Sequence, residues 1–249
     1  MSASSLPDAW AAGGLSARRR RIALTLRWRP EWRVATVAAA AWVALLAGLG
    51  MHGADLGEQH APLAGLAVWT LMVVAMMVPV TLPAVRYVGL NSMRCRQRRA
   101  MALYIAVYVG LWMVFGLAAL GLDHLLATHA AISEQALLAI VLAAAGGWQL
   151  TRAKRRALYA CGRTVPLPPL GRRADAGCAR FALLHGWRCM QSCWAIMLVM
   201  VIAGHTSLIW MMALTALVVA EELTVSGRRL TQPAAGVLLL AATAVALGA

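Results

Sequence analysis

Charge is scarce in this chain, and acid scarcer still. Of its 249 residues 13% are charged, with nine acidic side chains against 23 basic ones. A soluble domain draws about a quarter of its residues from Asp, Glu, Lys and Arg, and about half from apolar types. Here 61% are apolar and the mean hydropathy is +0.71, so a soluble fold of this size would lack the polar surface to cover itself. Also missing are a glycine-rich phosphate loop, zinc-finger spacing and a basic helix interleaved with aromatics. These absences argue against nucleic acid as a partner, despite a net charge of +14, and against a nucleotide-driven pump acting alone. No Cys-x-x-Cys pair occurs, and no two mid-membrane histidines are placed to ligate haem. No cleavable signal is expected, because the apolar run after Arg21 extends only from Ile22 to Leu26 before Arg27 stops it.

What is present is a series of long apolar runs. A helix needs about 20 apolar residues to cross roughly 30 Å of hydrocarbon. Seven segments meet or approach this, near 34–51, 65–85, 101–121, 132–150, 181–203, 206–221 and 234–249. The connections alternate in charge. Arg18 to Arg33, Arg86 to Arg99, the stretch from Arg152 to Arg180, and Arg228 with Arg229 all precede or follow spans on one side. The connections 51–64, 122–134 and 203–206 contain no Lys or Arg. By the positive-inside rule the basic connections are cytoplasmic. The expected fold is therefore an all-α, polytopic transmembrane bundle of about seven spans in a bacterial inner membrane, N-terminus in and C-terminus out. Residues 1–33 form a basic cytoplasmic tail lying against anionic lipid. Residues 34–249 form one transmembrane domain with a long cytoplasmic loop over 151–180 and a tight turn at 203–206.

The fifth predicted span carries the most informative pattern. His185, Cys189, Cys193 and Met197 are spaced four apart, which puts them on one helix face as a stripe about 18 Å long. Thiolates and thioethers are soft ligands that select Cu(I). The same residues are open to two blander readings, inert packing and dithiol redox chemistry. The second predicted span holds Met72, Met76 and Met77 ahead of Pro79. Pro79 removes a backbone donor and frees the carbonyl of Ala75, a break that a membrane tolerates only where protein or a cavity satisfies the freed group. Counted by helical rise, Met76 and Cys193 come to similar depths near mid-membrane, so a shared site is geometrically open if the two spans are neighbours.

Other candidates are weaker. Arg188 lies inside the fifth span, at a height where Glu221 of the sixth is its preferred partner, with snorkelling to the cytoplasmic face as the alternative. His52, His60, His124 and His129, with Asp55, Glu58 and Asp123, form a loose outer cluster that either collects metal or is incidental. Cys95, Cys161 and Cys178 fall in cytoplasmic connections and are expected as free thiols.

These residues resemble a known group. The run Trp69, Met72, Ala75-Met76-Met77, Pro79 and Pro83 is similar to the second span of the DUF2182 family, described as predicted metal-binding integral membrane proteins. So is Gly186, Cys189, Cys193-Trp194 and Met197, followed by Gly204, Trp210-Met211 and Glu221. Gly147-Trp148-Gln149-Leu150, Lys154 and Cys161 resemble the family's approach to its cytoplasmic loop. Residues 65–225 carry the resemblance. The sequence departs from the pattern at Ala157, where a first loop cysteine would stand, at Ser192 within the helical cysteine cluster, and at Glu222. The resemblance implies copper handling. The resulting expectation is a membrane protein that binds or translocates Cu(I), for copper homeostasis or delivery to a metallochaperone or cuproenzyme partner. Cys189 and Cys193 are the core ligands, with Met197, His185, Met76, Met77 and Met72 auxiliary. The alternatives are an intramembrane dithiol redox protein and a structural subunit with packing cysteines, and no other enzymatic role is expected.

Overall fold

The computed structural model describes residues 29–52, 62–129, 132–203, 208–224 and 227–248. Among the described residues the chain is all-α, without a strand. The helices are α1 (Trp32–His52), α2 (Pro62–Val80), α3 (Leu82–Asn91), α4 (Gln97–His129), α5 (Glu134–Leu150), α6 (Arg152–Cys161), α7 (Gly171–Ile202), α8 (Leu208–Leu223) and α9 (Gly227–Leu247). Among the described residues each of the seven apolar segments is mainly helical, that over 65–85 being broken at Thr81. The tail through Trp28 and most of the 203–206 turn lie outside the described residues.

Two sharp bends shape the bundle. Between α2 and α3 the axis turns by 69°. Pro79 withholds its donor two residues before the break, and Thr81 closes the broken end by giving both its backbone N–H (3.0 Å) and its hydroxyl (2.8 Å) to the carbonyl of Val78. The carbonyl of Ala75 accepts instead from the indole of Trp42 on α1, at 2.9 Å. The second bend, also 69°, separates α5 from α6 at Thr151. There the extended Thr151 caps α6, its hydroxyl accepting from the N–H of Lys154 at 3.1 Å. Most of the predicted 151–180 loop is consequently helix: α6 takes 152–161 and the first turns of α7 take 171–180, leaving only 162–170 irregular.

Close helix approaches rest on glycine. Trp69 of α2 lays its indole on Gly116 of α4, where a Cβ would come within 2.0 Å of the ring nitrogen, and donates to the Trp112 carbonyl at 3.0 Å. Gly186 lets α7 settle onto Leu111 and Tyr108 of α4. α7 packs on α4, α5, α6 and α8, whereas α2 packs on α1, α4 and α8. One buried cluster joins all of these, with Met72, Met76, Met77, Cys161, Cys189, Cys193 and Met197 in it.

The outer surface is apolar. Val43 and Leu46 on α1, Val114 and Leu117 on α4, and Val237 and Leu240 on α9 all point outward, far more apolar exposure than a soluble monomer tolerates. Two helices are long and apolar enough to cross a membrane unaided, over Gln97–Leu126 and Arg229–Leu247. The bent pairs α2–α3 and α5–α6 raise the number to four if each is one span. α1 falls short over Trp32–Gly48, and α7 mixes Arg180, His185, Arg188 and Gln191 into its apolar sequence.

Candidate metal centre

On α7 the four-residue repeat works as the helical period requires. His185, Cys189, Cys193 and Met197 are all buried. Cys189 and Cys193 are free thiols, and the Cys189 sulfur lies 3.1 Å from the hydroxyl of Tyr108 on α4. The third participant comes from α8. Glu222 puts its carboxylate 3.7 Å from the Cys193 sulfur and 2.5 Å from the hydroxyl of Ser192. That hydroxyl is also 2.8 Å from the Cys189 carbonyl and 3.2 Å from the Cys193 sulfur. The ligand atoms of Cys189, Cys193 and Glu222 lie within 4.8 Å of one another.

A buried ion pair borders this group. Lys154 of α6 and Glu221 of α8 meet at 2.6 Å, both side chains fully buried. Lys154 also donates to the Ser192 carbonyl at 2.7 Å, and Gln149 of α5 donates to the other Glu221 oxygen at 2.8 Å. With Glu221 neutralised by Lys154, Glu222 is left without an ion pair among the described residues. The expected pairing of Arg188 with Glu221 is therefore wrong. Arg188 donates to the Ala160 carbonyl at the end of α6, at 3.2 Å. The reason is the bend at Thr151, which folds α6 back along α7 and brings Lys154 to Glu221. A helical stripe was there to be read, since Lys154, Ala157, Leu158 and Cys161 share one buried face while Arg152, Arg155 and Arg156 face outward.

The same fold corrects the placing of two cysteines. Cys161, expected as a loop thiol, is buried and lies beside Glu222, Ser192 and Cys193. Cys178, also buried, donates to the Ala100 carbonyl. Cys95 is exposed. His185 sits among Tyr104, Tyr108 and Phe181 with ring centroids 6.0–6.1 Å apart. A cavity of about 130 Å³ reaches this region, lined by His185, Cys161, Glu222, Pro83, Arg163 and Thr164 among others.

Met72, Met76 and Met77 are fully buried and enter the shared cluster from α2, which packs on α1, α4 and α8 rather than along α7. In the outer cluster, His124 and His129 are exposed at the end of α4. Asp55, Glu58, His60 and the side chain of His52 lie outside the described residues.

A family model described as a copper chaperone, PpoB2, matches residues 66–245. The chain belongs to this PpoB2 copper-chaperone family. No curated protein and no solved structure matches it. The PpoB2 match runs from within α2 to within α9 and takes in Met72, Met76, Met77, Lys154, Cys161, His185, Cys189, Cys193, Met197, Glu221 and Glu222. It agrees with the copper context implied by the resemblance. The donor set also suits a PpoB2-family role on chemical grounds. Metal–sulfur bonds of about 2.3 Å allow two thiolates on one ion to stand up to about 4.6 Å apart, and the two sulfurs here lie within 4.8 Å of each other. Two thiolates are a soft pair that favours Cu(I).

Proposed function

We propose that this chain is a bacterial inner-membrane copper chaperone that holds one Cu(I) between Cys189 and Cys193, with Glu222 alongside, and passes it to a protein partner. The observation that carries the reading is the convergence of two thiols and an unpaired carboxylate in a buried place, in a chain of a copper-chaperone family. Two thiolates on Cu(I) leave a net negative centre. The Tyr108 hydroxyl, 3.1 Å from the Cys189 sulfur, is placed to donate a hydrogen bond to that charge.

In this reading all seven apolar helices cross the bilayer, the N-terminus and basic connections face the cytoplasm, and the arginine-rich tail rests on anionic lipid. The lengths of α4 and α9 and the apolar outer faces support it. His185 and Met197 extend the ligand stripe one turn in each direction. Met72, Met76 and Met77 supply further soft sulfur on α2, a second resting place for copper moving toward the outer face. The partner is a soluble copper carrier or a copper-requiring enzyme.

The test is the metal content of detergent-purified protein under reducing, anaerobic conditions, wild type against Cys189→Ser/Cys193→Ser. About one copper per chain, lost in the double variant, is expected. Equal copper in both, or none in either, defeats this site.

A further inference from the structure

The centre on α7 and α8 is buried, so copper needs a way in. The cavity of about 130 Å³ is lined on its outer side by Gly162, Arg163 and Thr164, the exposed residues that follow α6. Its inner side is formed by Cys161, His185 and Glu222. Glu222 belongs also to the thiol–carboxylate group, so the cavity ends at the metal centre itself. Val80, Pro83 and Ala84 form another wall. They belong to the bend between α2 and α3, and a straight helix there would not flank the same space.

One buried group in this cavity lacks the partners that burial normally demands. His185 is 6% exposed, and neither ring nitrogen has a hydrogen-bond partner. It lies against the backbone of Cys161 without forming a normal bond to it. Cys161 is 7% exposed and stands beside Glu222 and Cys193. Unpaired polar groups at such burial are uncommon and call for an explanation. A thiol and a neutral imidazole facing one cavity are both ligands for Cu(I). Neither falls within the 4.8 Å circle of Cys189, Cys193 and Glu222, so one ion is not held by all five groups at once. They form an adjoining position.

We infer that Cys161, assisted by His185, is a transfer ligand that receives Cu(I) at the cavity and hands it to Cys193 and Cys189. This rests on the copper reading of the α7 pair. Each exchange forms one copper–sulfur bond and breaks one, and copper stays Cu(I) throughout. As copper leaves the thiolate complex of a soluble donor, the Cys161 thiol proton passes to the adjacent Glu222 carboxylate or to water in the cavity. Cys193 then displaces the donor's remaining thiolate and Cys189 displaces Cys161; the Cys193 and Cys189 protons leave by the same groups, one of them reprotonating Cys161, so that two protons in all pass to the two thiolates the donor gives up. Thus Glu222 serves both positions, which accounts for its lying at their junction.

The role separates rate from equilibrium. The experiment uses the full chain in detergent, loaded anaerobically from the coloured Cu(I)–bicinchoninate complex, with the loss of colour followed by stopped flow and the final copper content measured. Cys161→Ser is expected to keep about one copper per chain at equilibrium while loading at least about tenfold more slowly. Thr164→Trp, which narrows the cavity mouth without touching a ligand, is expected to slow loading with the same end point. Loading of Cys161→Ser at the wild-type rate overturns the inference. So does loss of its copper at equilibrium, which makes Cys161 a holding ligand. If wild type takes up no copper, the α7 site falls, and this inference with it. If wild type loads and only the Cys161 result disagrees, the α7 site stands.

Discussion

Trp42 on α1 donates its indole N–H to the carbonyl of Ala75 on α2, the one carbonyl that Pro79 leaves without a helical donor. A proline kink in an apolar helix is thus completed from a neighbouring helix. Replacing Trp42 by Phe keeps the ring and removes the donor, leaving the Ala75 carbonyl buried and unpaired. The expected cost is about 1–3 kcal/mol, read as a lower thermal midpoint in detergent. Copper content should not change, because the one hydrogen bond Trp42 gives goes to the Ala75 carbonyl and not to Cys189, Cys193 or Glu222.

The Lys154–Glu221 pair offers a stronger test. Removing one member of a fully buried pair strands a charge and costs about 3–5 kcal/mol, whereas replacing both with apolar residues of similar size is often nearly neutral. Lys154→Met is expected to destabilise the protein strongly, and Lys154→Met/Glu221→Leu to regain much of the loss. Thermal unfolding of the four proteins closes the cycle. A double variant no more stable than the single one would show that the contacts of Lys154 and Gln149 to Ser192 and Glu221 carry the stability instead.

Adjacent glutamates should behave differently. Glu221 is consumed by Lys154, while Glu222 faces the two thiols. Glu222→Gln keeps the shape and the contact with Ser192 but removes the charge that would face a cation. Its affinity for Cu(I), measured by competition with a chelator, is expected to fall by about 10- to 100-fold with little loss of thermal stability. An unchanged affinity would remove Glu222 from the site.

Thiol reactivity separates the cysteines outside the centre. Cys95 is exposed and should alkylate first. Cys178 is buried, and burial together with the nearby Asp175 carboxylate pushes its thiol up to about 11. A raised value means less thiolate at a given pH. At pH 8 about one molecule in a thousand carries the reactive form, and the fraction rises tenfold per pH unit until the midpoint. Labelling followed by mass spectrometry should therefore find Cys178 lagging far behind Cys95 at pH 8 and catching up as pH rises.

How much of this was legible beforehand follows from periodicity. The long apolar runs gave away the helices, since each was long enough to count. The four-residue spacing of His185, Cys189, Cys193 and Met197 placed them on one face whatever packed against it. That Pro79 frees the carbonyl of Ala75 was likewise a local consequence of covalent structure. The short amphipathic helix α6 was missed, because ten residues rich in arginine read as a loop when only hydropathy is followed. With it went Lys154 as the partner of Glu221 and Cys161 as a buried thiol.

By itself, the sequence determined which segments are helical, that their outer faces need an apolar surrounding, and that two thiols share one turn-spaced face of α7. Those are properties of composition and of a 3.6-residue period, and they hold before any helix meets another. Only the tertiary structure decided which carboxylate stands free. Glu221 and Glu222 are neighbours in the chain, with equal chemistry. The 69° bend at Thr151 brings Lys154 to the first of them and leaves the second to the cysteines.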